Sequence, residues 1–516
     1  MSNAYEDMPE TTTPDDLFGP PGDDELAEFA EFADELADTD DDLPGDEPDA
    51  GDEPGGEAAD NVVDLSEARA QRRSPSDDMF GWEFFASVNV GGKVRTMFLP
   101  EQLANAILDM GPLAVGQGDQ KPLIWAYDGG VWKIAMNEVR DRATELLREN
   151  YKPDRATAAE HHLTRMLRRS GRVIDGKPQP DIINFKNGIL FWKTGEFIDH
   201  TPDILSTVQL NTEWVEGAEC PEFDAFLASV LPEDLIETVW ELIGYTMFSG
   251  NPLHKAVMCI GSGRNGKGTL LRAITALLGE RNVTSVDLHS LTTERFATVS
   301  LYNKLANIAG DIEARHLKNT AKFKQITGED TVYAEYKGKD GFDFRPWAVP
   351  IFSANEIPPS SDASAGYLSR WLVLKFPHSF EGREDRTLTD RITTPEELRG
   401  IAYKGVLALR RLMERGNFPE TESSREAMAE FRRANDPCRE WFEERCDVNP
   451  DWPPVNRKVF YDDYKEWCFE NGKQTLSSRK FYERLRSYGI TERKSNGYPS
   501  LFGVKLLPKG DLNSDW

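Results

Sequence analysis

Cysteine is scarce and scattered. Cys220, Cys259, Cys438, Cys446 and Cys468 form no CxxC pair and no grouping with histidine, which argues against a zinc site and against a disulfide framework. No apolar run approaches the roughly 20 residues needed to cross a bilayer, so no membrane partner is expected. Positive charge is missing from residues 1–60, which hold 23 Asp and Glu and no Lys or Arg. That is the reverse of a signal peptide, and an intracellular chain is expected. The same stretch has little β-branched or aromatic content, too little to bury a core, and residues 1–75 read as a disordered acidic tail. Within it Leu26, Phe29, Phe32, Ala33 and Leu36 fall near helical spacing. An acidic amphipathic helix docking in a partner's groove and a merely solvating tail are the two readings of that spacing.

The net charge of −29 therefore belongs to the tail. Of the 89 acids, 66 remain against 60 bases in the other 456 residues, a net of −6 that leaves nucleic acid open as a partner. A length of 516 residues gives room for about three domains.

Residues 261–269 read Gly-Ser-Gly-Arg-Asn-Gly-Lys-Gly-Thr, after the apolar run 256–260 and before a helix-like apolar stretch. A glycine-rich turn between a buried strand and a helix N-terminus points backbone N–H groups at phosphate oxygens. Gly261, Gly263, Asn265, Gly266, Lys267, Gly268 and Thr269 are thus expected to cradle ATP, with the Lys267 ammonium on the terminal phosphates. A hydroxyl is missing after the lysine, where Gly268 stands; Thr269, one residue later, is the substitute ligand for Mg2+. Asp311 and Glu313 follow the apolar run 305–309. Residues at i and i+2 beyond a strand end point the same way, which sets one carboxylate, Asp311, to hold magnesium and the other, Glu313, to orient or deprotonate water. Asn355 ends another apolar run and carries an amide suited to positioning that water.

Apolar runs at 305–309, 347–352 and 371–376, separated by charged segments, predict an α/β fold with a largely parallel sheet. Asp128-Gly129-Gly130 and Lys186-Asn187-Gly188 are hairpin signals in the mixed region upstream. Helical spacing from Phe223 to Ile243 predicts helices leading into the core, and residues 385–436 read as charged helices. In the last 75 residues, Val459, Phe460, Tyr464, Trp467 and Cys468 predict one helix, and Phe481, Leu485 and Tyr488 a second. A hairpin then turns at Ser495-Asn496-Gly497 and runs from Tyr498 to Leu507. That order is a winged helix. Eight Lys and Arg against two acids between Lys473 and Lys505 give its second helix and wing a positive face. Arg479, Lys480, Arg484, Arg493 and Lys494 are the candidate DNA contacts. The expected division is a tail at 1–75, a mixed and helical domain at 76–219, an ATPase core with lead-in helices at 220–380, a helical lid at 381–439 and the winged helix at 440–516.

Three segments carry a family likeness. Residues 322–342 (Lys-Phe-Lys-Gln-Ile-Thr-Gly-Glu-Asp-Thr-Val-Tyr-Ala-Glu-Tyr-Lys-Gly-Lys-Asp-Gly-Phe), 352–359 (Phe-Ser-Ala-Asn-Glu-Ile-Pro-Pro) and 366–376 (Gly-Tyr-Leu-Ser-Arg-Trp-Leu-Val-Leu-Lys-Phe) closely resemble the superfamily III helicases of phage and plasmid primase-helicases, related to the poxvirus primase-helicase. Upstream, 187–197 and 220–227 resemble the helical domain that precedes the ATPase in that family, and the likeness covers about residues 120–510. The resemblance implies a P-loop ATPase of AAA+ type assembled as a homo-hexamer around single-stranded DNA and acting on forked DNA. It matches Lys267, Asp311, Glu313 and Asn355 to the phosphate-loop lysine, the acidic pair and the sensor asparagine, and Arg370 to the arginine inserted into the neighbouring subunit's site. Lys337 and Lys339 match a hairpin that grips DNA in the channel. About 45 residues between the tail and the helical domain are too few for a primase, so a separate primase or polymerase is expected as partner. A phage, prophage or plasmid helicase in a bacterial cytoplasm is the leading reading. An origin-binding initiator or loader ATPase is the alternative, and a small-molecule kinase is a third reading that the paired acids, Arg370 and the basic terminal domain weigh against.

Overall fold

A computed structural model describes residues 82–90, 93–116, 123–313, 317, 320–335, 341–360, 362 and 364–508, all in the unit that runs from Asp78 to Trp516. The acidic tail and its amphipathic helix, and Lys337 and Lys339, lie outside the described residues.

The first part is mixed rather than helical. A hairpin of β1 (Phe85–Val90) and β2 (Lys93–Phe98) leads into α1 (Pro100–Asp109), and β3 (Leu113–Gly116), β4 (Ile124–Asp128) and β5 (Val131–Ile134) follow. The next elements are α2 (Glu138–Leu147), α3 (Pro153–Arg169), β6 (Val173–Ile174) and then the antiparallel β7 (Ile182–Phe185), β8 (Gly188–Phe191) and β9 (Glu196–Ile198). The mixed and helical domain expected at 76–219 therefore contains three sheets among its described residues, the β1-β2 hairpin and two ordered β5-β4-β3-β6 and β7-β8-β9. Its hairpin turns are of the kind expected: Asp128 pairs with Val131 across Gly129 and Gly130, whose φ angles of 58° and 85° match the twist of a tight two-residue loop.

Lead-in helices α4 (Pro221–Val230) and α5 (Glu233–Met247) are separated at Pro232. Behind them lies a five-stranded sheet of β10 (Ala256–Ile260), β11 (Val283–Thr284), β12 (Ala306–Ala309), β15 (Val349–Ala354) and β16 (Trp371–Lys375). Its order is β11-β12-β15-β10-β16, and every pair is parallel. Both faces are covered, so β10, β12 and β15 are buried at every residue, and near-continuous apolar runs are what such strands require. Helix α6 (Lys267–Leu278) follows β10, α7 (Thr320–Thr327) follows β12, and a hairpin of β13 (Val332–Ala334) and β14 (Phe342–Phe344) precedes β15.

Helices α8 (Pro395–Arg415) and α9 (Glu422–Ala434) return over this core. The Glu397 carboxylate, buried on α8, accepts the backbone N–H groups of Glu222 and Phe223 at 3.3 and 2.9 Å, which satisfies orphan donors at the start of α4. At Gly244 of α5, an added Cβ would stand 2.2 Å from the Gly405 carbonyl oxygen of α8. The two helices therefore meet backbone to backbone, and Gly244→Ala is expected to destabilise the fold by about 1–3 kcal/mol, read from chemical denaturation. An unchanged midpoint would show that the helices separate freely there.

The last part holds α10 (Pro437–Arg445), β17 (Cys446–Val448), β18 (Val455–Asn456), α11 (Arg457–Glu470) and α12 (Ser478–Ser487), then β19 (Thr491–Ser495), β20 (Tyr498–Phe502) and β21 (Val504–Leu506). Both helices and the hairpin stand where the spacing predicts them. Two details differ. Val459 is 49% exposed while Phe460, Tyr464, Trp467 and Cys468 are buried, because the burial stripe on α11 begins one residue later. The strand expected to run from Tyr498 to Leu507 breaks at Gly503, whose φ is 70°, and β21 leaves the hairpin to pair with β17. Among the described residues, no helix is long and apolar enough to cross a membrane.

Candidate functional site

The site is built at the C-terminal end of the parallel sheet, from the loop that follows its buried strand β10. Gly263 and Gly266 take φ angles of 92° and 90°, and Gly266 caps α6 in the left-handed region. The loop is closely held: an added Cβ at Gly261 would stand 2.0 Å from Asn265 Nδ2 and 2.8 Å from the Phe376 carbonyl, and one at Gly266 would meet Val230 at 2.6 Å. Arg264 at its tip forms ion pairs with Glu384 at 2.8 Å and Glu381 at 3.4 Å, and its carbonyl accepts the Phe380 N–H at 2.8 Å.

Lys267 is only 4% exposed. Its ammonium donates to the Gly261 carbonyl and lies 3.5 Å from Asn355 Oδ1. Burial holds its pKa below the ordinary lysine value, opposed by Cys259 and by the Asp311 carboxylate nearby. Asn265 Oδ1 accepts the Lys267 backbone N–H at 3.5 Å, while its buried Nδ2 has no hydrogen-bond partner. An orphaned donor beside a buried ammonium, at the start of a helix, is a donor set that fits phosphate oxygens.

Asp311 and Glu313 are both exposed, but strand alternation does not place them. Asp311 has φ of 49°, and Ile312 then donates its N–H to the Ser353 carbonyl at 2.9 Å. The chain turns beyond β12, so the expected i and i+2 geometry is replaced by a left-handed corner that brings Asp311 within electrostatic reach of Lys267. Gly268 leaves open space: a Cβ there would meet only the mobile end of Arg272, at 3.2 Å. Arg272 Nη2 donates to Thr269 Oγ1 at 3.2 Å. Arg272 and Arg264 are site residues that the sequence pattern did not flag. Spacing of i and i+3 on α6 was the available signal for Arg272, and Arg264 lay inside the motif itself.

Arg370 does not join this group in its own chain. It immediately precedes β16, where its carbonyl accepts the Ala256 N–H at 2.7 Å. That is the start of β10, four residues from its loop end, and at about 3.3 Å per residue it lies on the order of 13 Å away along the sheet. Its guanidinium donates to Thr327 Oγ1 at 2.9 Å and to the Gly366 carbonyl at 2.7 Å.

The basic candidates of the last part have different surroundings. Arg493 and Lys494 are exposed on β19, and Arg479 is bonded to Glu483 at 3.0 Å. Lys480 and Arg484 line a cleft of about 340 Å³ shared with Thr320 and Asp362. Burial raises the Asp362 pKa, but the Lys324 ion pair at 2.7 Å and hydrogen bonds from Ser364 and Thr320 outweigh it and hold the carboxyl well below the ordinary range.

Family models match three successive stretches: one described as D5 N terminal like over residues 119–232, one as a family of unknown function (DUF5906) over residues 259–370, and one as Poxvirus D5 protein-like over residues 433–498. A protein of Acanthamoeba polyphaga mimivirus that carries a helicase name is 27% identical over 218 residues, which is 40% of this chain. The chain spans 23% of that relative's length. Two apo structures of the NrS-1 C-terminal region cover 78% and 79% of this chain and 98% and 99% of their own, at 13% and 15% identity and a TM-score of 0.46.

Proposed function

This chain belongs to the phage and viral primase-helicase family, and on that premise we propose that it is an ATP-driven replicative DNA helicase of a phage, prophage or plasmid, without primase activity of its own. One observation carries the reading: a buried lysine at the start of the helix that follows a central parallel strand, its ammonium 3.5 Å from Asn355 and within reach of Asp311, beside an orphaned Asn265 donor. The strand order, with β10 between β15 and β16, supports an AAA+ type of P-loop core. The two helices and hairpin of residues 440–516 support a winged helix, with 76–219 and 381–439 as the flanking mixed domain and lid.

In this proposal Lys267 and the loop N–H groups bind and orient the phosphates of ATP, and Asn265 Nδ2 gains its missing acceptor there. Thr269 and Asp311 would hold magnesium, which when bound would supply charge neutralisation for the phosphates. Glu313 orients the attacking water and takes its proton, and Asn355 fixes that water against the terminal phosphate. Arg370, remote from its own loop, acts on the site of the next subunit in a hexameric ring. Lys337 and Lys339 hold single-stranded DNA through phosphate contacts, which a motor indifferent to sequence requires. Arg479, Lys480, Arg484, Arg493 and Lys494 add contacts to forked DNA, and a separate primase supplies primers.

The deciding experiment measures ATP hydrolysis by the full chain with and without single-stranded DNA while its mass in solution is determined. Hydrolysis that DNA stimulates, by a six-subunit species, is expected; phosphoryl transfer to an acceptor other than water would overturn the reading. Replacing Lys337 and Lys339 together by alanine should preserve basal hydrolysis, remove DNA stimulation and flatten the salt dependence of DNA binding. Normal unwinding by that variant would refute their role. Thr269→Val should lower hydrolysis and recover partly as magnesium is raised; unchanged kinetics would assign the metal position to water.

A further inference from the structure

At the opposite end of the sheet from the glycine-rich loop, where β12 and β15 begin, a cavity of about 130 Å³ separates the core from the upstream domain. Two buried amide atoms on residues that line it have no hydrogen-bond partner: Gln179 Oε1, an acceptor, and Asn303 Nδ2, a donor. Ser249 lines it as well, and Val173, Leu205 and the indole of Trp347 form its apolar walls. Trp347 is held in place by its own Nε1, which donates to the Gly176 carbonyl at 3.4 Å. The one charged pair on the lining, Asp175 and Lys177, is neutralised internally.

Each feature restricts the occupant. Neutral carboxamides and a hydroxyl do not select a phosphate, a carboxylate or a metal ion. An orphaned acceptor and an orphaned donor, each buried without a partner, would both be satisfied by a molecule with a donor and an acceptor on its edge. An aromatic wall suits a flat ring. The volume exceeds the ~30 Å³ share of one water several-fold. It falls short of the ~300–1,000 Å³ of pockets that enclose larger ligands, so a ring fits and a whole nucleotide does not. The surroundings suit the same chemistry. Tyr302, next to Asn303, packs its ring 5.0 Å from Phe342 and 5.3 Å from Phe344 on β14, the strand that follows the segment bearing Lys337 and Lys339.

We propose that this cavity binds a single nucleobase, read by Gln179 and Asn303. The base comes either from a free nucleoside or from a base unstacked from the DNA strand, and only the second source rests on the helicase reading.

Calorimetric titration of the full chain with thymidine, cytidine and adenosine, in the presence of saturating ADP, tests the site without using phosphate contacts. At least one nucleoside is expected to bind, and Gln179→Leu to weaken it roughly tenfold through the loss of one hydrogen bond. Asn303→Asp exchanges the donor for an acceptor while keeping a residue type that tolerates the φ of 55° there, and should change which nucleoside is preferred. Displacement of the nucleoside by a single strand carrying 2-aminopurine, with a rise in its fluorescence, assigns the site to a base of the strand; binding without displacement assigns it to free nucleosides. If no nucleoside titrates, or if both variants fold and bind as the parent does, the cavity holds only water and the proposal fails. ADP that does not bind would count against the site at Lys267 and leave this titration intact.

Discussion

Lys267→Ala is expected to fold, to bind ATP weakly and to hydrolyse it at least roughly 10²- to 10³-fold more slowly than the parent. The ammonium is buried at 4% exposure, in the one place where the Gly261 carbonyl and Asn355 Oδ1 converge on it. A preorganised charge in that setting acts on the transferring phosphoryl group without reorganisation, and none of the other basic residues placed near the loop substitutes for it. Arg264 is turned toward Glu384 and Glu381, and Arg272 toward Thr269. Steady-state phosphate release, with a thermal melt as the control for folding, decides the matter. Parental hydrolysis in a folded variant would remove the site assignment.

Arg370→Ala carries the larger mechanistic weight. It should bind ATP as the parent does and lose about 10³ to 10⁵ in rate, the range associated with an arginine that stabilises transition-state charge. Because Arg370 stands at the far end of the sheet from its own loop, its action requires a head-to-tail neighbour. Mixing the Arg370→Ala and Lys267→Ala proteins should therefore restore part of the activity, since some interfaces then combine an intact Lys267 with an intact Arg370. The recovery should vanish at concentrations where the assembly dissociates. A mixture that stays inactive although mixed assemblies form would assign Arg370 to packing against Thr327 and Gly366.

Much of the core was readable because the physics of a covered parallel sheet is written in consecutive residues. A strand buried on both faces needs an unbroken apolar run, and the runs around 258, 307, 351 and 373 became β10, β12, β15 and β16. Hairpins announced themselves through Asp-Gly-Gly and Asn-Gly for equally local reasons. What escaped depends on distant residues. The left-handed corner at Asp311 goes with a hydrogen bond from the Ile312 N–H to the Ser353 carbonyl on another strand. Glu397 caps a helix that begins more than 170 residues earlier in the chain. The remoteness of Arg370 from its own loop follows from the strand order, which no local pattern states. The cavity is likewise assembled from five separate stretches, and its two orphaned amides looked like ordinary polar residues in the sequence.

The break at Gly503 gives the last part an unusual suspension. Because β21 pairs with β17, from Cys446 opposite Leu506 to Val448 opposite Val504, the strand that leads out of α10 and the last strand among the described residues lie side by side, about 4.8 Å apart. The Leu507 N–H also bonds the Arg445 carbonyl at 2.8 Å, at the end of α10. Helices α11 and α12 and the hairpin thus hang from one clasp instead of being strung between two distant anchors. A pull on α10 is therefore shared between that short ladder and the aromatic interior, into which Trp441 of α10 packs against Tyr464 and Phe481 at 5.6 and 5.2 Å.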